Sequence, residues 1–92
     1  MPDFWSRPLR ASPDALHQEL SGETVLLNLK TEHYFGLDEV GTRIWQLIVA
    51  ESTPEAIVLT LLEEYDVEAE RVRADVERLV GELEAAGLLA SG

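Results

Sequence analysis

Between residues 14 and 37 apolar and polar side chains alternate. In Thr24-Val25-Leu26-Leu27-Asn28-Leu29-Lys30, Val25, Leu27 and Leu29 share one face and Thr24, Asn28 and Lys30 the other, with Leu26 the single break. A period of two is the spacing of a half-buried strand. Upstream, Leu16, Gln18 and Leu20 alternate with Ala15, His17 and Glu19, and Ser21-Gly22-Glu23 supplies a turn signal between the two runs. Downstream, Thr31-Glu32 is a short connection lacking Gly or Asn, and it leads into His33-Tyr34-Phe35-Gly36-Leu37. The pattern predicts a three-stranded antiparallel meander over about 14–20, 24–30 and 33–37.

From Asp38 onward the period becomes helical. Asp38 is suited to cap a helix, because its carboxylate accepts from an otherwise orphan backbone N–H. Val40, Ile44, Trp45 and Ile48 then form an apolar stripe. Gly41 inside this helix costs about 1 kcal/mol relative to alanine, which a close backbone approach would explain. Thr53-Pro54 opens a second helix, with threonine as cap and proline at the first position. Val58, Leu61, Leu62 and Tyr65 continue along it, and Tyr65-Asp66-Val67 breaks it. The third helix, about 68–86, carries Val72, Val76, Leu79, Val80 and Leu83 at steps of three or four. Gly87 falls where a left-handed C′ residue belongs, and Leu88 is then placed to contact Leu83.

Strands followed by helices imply an α+β domain with the helices on one face of an antiparallel sheet. The second and third helices read as a helix-turn-helix, so the whole is a winged helix-turn-helix-like architecture. It occupies 13–90 as one domain. Residues 1–12 hold two of the four prolines and no periodicity, and read as an arm whose Phe4 and Trp5 can dock on the body or at an oligomer contact.

Composition narrows the chemistry. Ninety-two residues fit a single domain with a modest core, and 46% apolar content is ordinary for a folded chain. The absence of cysteine excludes disulfides, thiolate metal sites and thiol nucleophiles. There is no secretory signal and no run of apolar residues long enough for a membrane helix, so a cytoplasmic location without membrane contact is expected. His17 and His33 are the only histidines and lie in separate strands, so no metal spacing is recognisable. Ser6, Ser12, Ser21, Ser52 and Ser91 read as loop or cap serines, and no Gly-rich phosphate loop is present. Glu63-Glu64 and the acids of the third helix read as a solvated face. No catalytic residue, metal or cofactor is expected, and the chain is read as not an enzyme.

A winged helix can place its third helix in the DNA major groove. Here that helix sets Arg71, Arg73 and Arg78 against Glu68, Glu70, Asp75, Glu77, Glu82 and Glu84, in a chain of net charge −11. Phosphate binding needs a positive stripe, so the electrostatics oppose nucleic acid. The third strand is the remaining feature. A three-stranded sheet leaves two edges with unpaired N–H and C=O groups, and an extended peptide can add to one of them as a further strand.

The stretch Leu26-Leu27-x-Leu29-x-Thr31-x-x-Tyr34-Phe35-x-Leu37-Asp38-x-x-Gly41-x-x-Ile44-Trp45 resembles the PqqD-like proteins. Tyr65-Asp66-Val67 before a long helix, and Gly87-Leu88-Leu89 at its end, extend the likeness to about 14–89. The resemblance implies a stand-alone peptide-binding module, or recognition element, of pathways that modify ribosomally made peptides. Such modules hold the leader of a precursor peptide as an added strand against the third strand, beside the third helix, and present it to modifying enzymes. The short acidic form looks most like the lasso peptide type, whose partner is a separate leader peptidase with an ATP-dependent cyclase acting afterwards. The alternatives are a peptide chaperone of pyrroloquinoline quinone synthesis and a winged-helix DNA-binding regulator. Carried onto this chain, the leader groove would involve Leu29, Lys30, Thr31, Glu32, His33, Tyr34 and Phe35 on the strand side. Val72, Arg73, Asp75, Val76 and Leu79 would line the helix side, with Leu37 and Trp45 in the core beneath. Arg73 would meet a leader acid, and Glu32 and Asp75 leader lysines.

Overall fold

The computed structural model describes residues 3–90; the first two residues of the arm, and Ser91 and Gly92, lie outside it. Three antiparallel strands, β1 (Ala15–Leu20), β2 (Glu23–Asn28) and β3 (His33–Leu37), form a sheet in the order β1-β2-β3. Three helices follow: α1 (Glu39–Val49), α2 (Pro54–Glu64) and α3 (Ala69–Ala85). They pack on one face of the sheet, and a 3-10 turn at Phe4–Ser6 rests against them. No helix among the described residues is long and apolar enough to cross a membrane.

The helix ends follow from local chemistry. Asp38 Oδ1 accepts from the Gly41 N–H at 2.8 Å, and Thr53 Oγ1 accepts from the Ala56 N–H at 3.1 Å. Gly41 is buried where a Cβ would lie 3.2 Å from Asp38 Oδ1 and 3.3 Å from the Leu37 side chain, the close approach its place in a helix suggests. At the end of α3, Gly87 takes φ 73° and the Leu88 N–H donates to the Leu83 carbonyl at 2.9 Å, a Schellman closure. Leu83 and Leu88 are both fully buried.

The second strand differs from its apolar pattern in two ways. It ends at Asn28, so Leu29 and Lys30 belong to the turn. Its inward face is Thr24, Leu26 and Asn28, all buried, whereas Val25 and Leu29 are exposed and Leu27 is half-buried. Leu26, the break in the alternation, is therefore the core residue. Asn28 can face inward because its polar atoms are satisfied. Its Nδ2 donates to the Ala86 carbonyl at 2.8 Å, and its Oδ1 accepts from the Lys30 N–H at 2.9 Å. A buried amide so paired avoids the roughly 1–3 kcal/mol cost of an unsatisfied group. It also ties the β2–β3 turn to the end of α3.

From Phe4 to Ser12 the arm is held against the body. Phe4 and Trp5 pack against the core, the Leu9 N–H donates to the Ser52 carbonyl at 2.9 Å, and Ala11 forms a bridge with Leu89. The Ser12 N–H donates to the Leu88 carbonyl and the Ala90 N–H to the Arg10 carbonyl, at 2.9 and 2.8 Å.

Candidate functional site: an open strand edge above an apolar cleft

Among the described residues β3 pairs only with β2, through Thr24↔Leu37, Leu26↔Phe35 and Asn28↔His33. The hairpin between β1 and β2 fixes which backbone groups point outward. Ser21 and Gly22 both have positive φ, 51° and 82°, the signature of a two-residue type I′ turn closing on Leu20↔Glu23. Hydrogen bonding alternates from side to side along an antiparallel strand. Glu23, Val25 and Leu27 therefore bond toward β1, and Thr24, Leu26 and Asn28 toward β3. Two turn bonds keep the same sense: the Leu29 N–H donates toward β1, to the Asp14 carbonyl, and the Asn28 carbonyl accepts from the Glu32 N–H on the β3 side. On β3 it follows that Tyr34 and Gly36 turn their N–H and C=O groups to the free edge.

That edge borders a cleft of about 840 Å³ between β3, the start of α1, the α2–α3 loop and α3. Clefts of this volume lie within the usual range for ligand sites, about 300–1,000 Å³. Leu37, Ile44, Leu61, Val72 and Leu79 line it from the core. Phe35 and Gly36 form the strand wall, and Val40, Tyr65 and Val67 contribute apolar surface at the mouth. Charges stand along α3 at Glu68, Arg71, Asp75, Arg78 and Glu82, with Asp38 and Asp66 nearby. Arg78 lies 3.9 Å from Asp75 and 3.3 Å from Glu82.

Of the residues selected from sequence, Phe35, Val72, Asp75 and Leu79 come together in this cleft. His33 and Tyr34 are exposed on β3, and the Tyr34 side chain lies on the outer sheet face opposite Leu27. Leu29, Lys30, Thr31 and Glu32 form the β2–β3 turn, where Lys30 lies 3.9 Å from Asp14. Val76 is fully buried in the core beneath. Arg73 does not line the cleft. It stands on the α2 side of the helix, paired with Glu55 at 2.8 Å and stacked 4.8 Å from the centre of the Trp5 ring.

Sequence reasoning passed over Arg71, Arg78, Glu68 and Glu82 on α3, and Val40, Tyr65 and Val67 at the mouth. The signal for the first four was present. Positions 68, 71, 75, 78 and 82 alternate steps of three and four, one stripe of a helix beside the apolar row of Val72 and Leu79. Among the described residues no cluster of three or more His, Asp or Glu side chains could hold a metal.

These features define an α+β winged-helix-like domain with an open strand edge over an apolar cleft. The sequence matches the family described as coenzyme PQQ synthesis protein D (PqqD) over residues 23–89, and the chain belongs to that family. A solved structure of TbiB1 in complex with the TbiA(β) leader peptide superposes with a TM-score of 0.84 at 36% identity, covering 90% of this chain and 96% of that one. A lasso peptide synthetase B1 complexed with its leader peptide shares the fold, with a TM-score of 0.81 at 24% identity over 91% of this chain and 99% of that one. No curated protein matches the chain significantly.

Proposed function

We propose that this protein binds the leader segment of a ribosomally made precursor peptide, and presents the bound precursor to modifying enzymes of a lasso peptide pathway, a leader peptidase first. The leader adds as a fourth strand along β3, meeting the outward backbone groups of Tyr34 and Gly36. Its side chains on the helix face enter the cleft over Val72 and Leu79. Main-chain bonds fix register, and the apolar cleft supplies side-chain selection. The protein does no chemistry itself in this reading, requires no cofactor, and works in the cytoplasm. The observation that carries the proposal is the unpaired β3 edge beside an apolar cleft, in a chain 36% identical to TbiB1, which was solved with a leader peptide.

Fluorescence polarisation with labelled leaders of the precursors encoded beside this gene tests it. Binding near 1 μM, about −8 kcal/mol, is expected. Flat titrations with every such leader would overturn the reading. Addition of the protein should also speed cleavage of the full precursor by the neighbouring peptidase.

A further inference from the structure

Seven Lys and Arg residues stand against 18 acids in this chain. In such an excess a guanidinium finds a carboxylate easily, and most here have done so. Arg10, Lys30, Arg43, Arg73 and Arg78 each lie between 2.8 and 3.9 Å from a carboxylate oxygen. Arg71 is the exception: among the described residues its side chain makes no ion pair, hydrogen bond or ring contact. Its own helix offers Glu68 three residues before and Asp75 four residues after, the spacings that favour pairing. It takes neither, and Asp75 lies beside Arg78 instead.

Arg71 stands where the helix dipole gives a cation no support. It is the third residue of α3, in the first turn, where the helix dipole favours acids and disfavours cations. Its side chain is exposed and lines the cleft next to buried Val72. The acids around the cleft are partly committed already. Asp38 caps α1, and Asp75 and Glu82 flank Arg78, whereas Arg71 keeps its planar fork of donors unused.

We propose that Arg71 is a specificity-determining residue that pairs with an Asp or Glu side chain of the peptide seated in the cleft. The inference rests on reading the cleft as the leader site and adds the chemistry of one contact. It assigns to Arg71 the role that Arg73, stacked under Trp5 on the other side of α3, is not placed to fill. A guanidinium–carboxylate contact at the lip of a partly desolvated cleft selects for planar anions over amides, because the two parallel N–H donors lose their match when one oxygen becomes an amide nitrogen.

A displayed library of short random peptides, panned against the full-length protein and against its Arg71→Ala and Arg71→Glu variants, tests the assignment without a known leader. Selection by the unmodified protein should return an acid at a fixed spacing from an apolar anchor. Arg71→Ala should lose that preference, and Arg71→Glu should replace it with Lys or Arg at the same position. A selected peptide remade with the amide in place of the acid should bind the unmodified protein about tenfold more weakly, and bind Arg71→Ala unchanged. The thermal midpoint of Arg71→Ala should equal that of the unmodified protein. Identical profiles from the unmodified and Arg71→Ala proteins, enrichment of Lys or Arg at that position by the unmodified protein, or a lowered midpoint would each overturn the assignment while leaving leader binding intact. Failure to enrich any extended peptide would overturn both.

Discussion

The two sides of α3 have met the same problem differently. Arg71 and Arg73 are two positions apart, hence about 200° apart around the helix. On the Arg73 side the chain's own N-terminal arm has closed the surface. Trp5 stacks on the guanidinium, Glu55 takes both its carboxylate oxygens to within hydrogen-bond distance, and the arm runs on to pair with residues 88–90. On the Arg71 side the surface stays open, with a free strand edge, an apolar floor and an unused cation. The arm's pairing with Leu88 and Ala90 is main-chain recognition of one segment by another within the molecule. The β3 edge offers the same kind of pairing to a segment from outside it. A covered side and an uncovered side of one helix thus separate what holds the fold from what is left for a ligand.

The comparison can be broken most forcefully at the junction of the covered side. Gly87→Ala forces a left-handed backbone on alanine and brings its Cβ to 2.8 Å from Asn28 Nδ2. A loss of about 2–3 kcal/mol, or roughly 10 °C or more in the midpoint, is expected by thermal melting. Leader affinity measured well below the melt should hold, and its collapse would show that the two sides are not separable. Tyr34→Pro tests the open side. Proline is tolerated where an edge N–H faces solvent, so the fold should survive. The lost donor and the bulk of the ring should weaken leader binding by about tenfold, somewhat more than one hydrogen bond of about 1 kcal/mol. Unchanged affinity in a folded variant would count against strand addition at β3.

Trp5→Ala sharpens the contrast from the covered side. Removing the ring from Arg73, from Phe4 and from the edge of the core should cost about 1–2 kcal/mol, seen as a midpoint lower by about 4–16 °C, with leader affinity unchanged. The smallest effect belongs to neither side. Arg43 donates to both oxygens of Glu64 at 2.8 Å, joining α1 to the end of α2. That hydrogen bond holds the Glu64 carboxyl below its ordinary value and raises the Arg43 guanidinium above its own. A carboxyl depressed in the folded state contributes stability above its unfolded value, about 4.3, and loses it as the pH falls through the folded one. The midpoint gap between the unmodified protein and Glu64→Gln should therefore be steady from pH 7 to about 5 and begin to shrink below about 4. A gap that persists in acid would mean that the pair acts through packing rather than charge.

Much of this architecture is legible in short windows of sequence. Asp38, Thr53-Pro54 and Gly87-Leu88 specify helix ends from neighbouring atoms, and the structure uses all of them as such. The meander is legible because alternation is local. What is not local was harder to read. Both faces of β2 carry apolar side chains, and the inward one is set by Asn28 finding the Ala86 carbonyl, 58 residues away. The cleft side of α3 is similarly undetermined by its own pattern, since arginines occur on both sides. Only the arm, arriving from the far end of the chain, shows that Arg73 is taken. The apolar members Val72 and Leu79 were readable, because a groove floor and a core share the same helical stripe, and Phe35 was readable as an aromatic residue of the third strand.

The open edge of β3 also has a colloidal consequence. Unpaired strands are templates for one another, and an edge kept free for a ligand is equally free for a second copy. The charge of −11 gives every copy the same sign and sets a repulsive barrier between them. That barrier reaches only about 8 Å at physiological ionic strength and shrinks as salt rises. The acidity of the chain thus works against self-association of its empty form, and an occupying strand takes the β3 edge itself out of play.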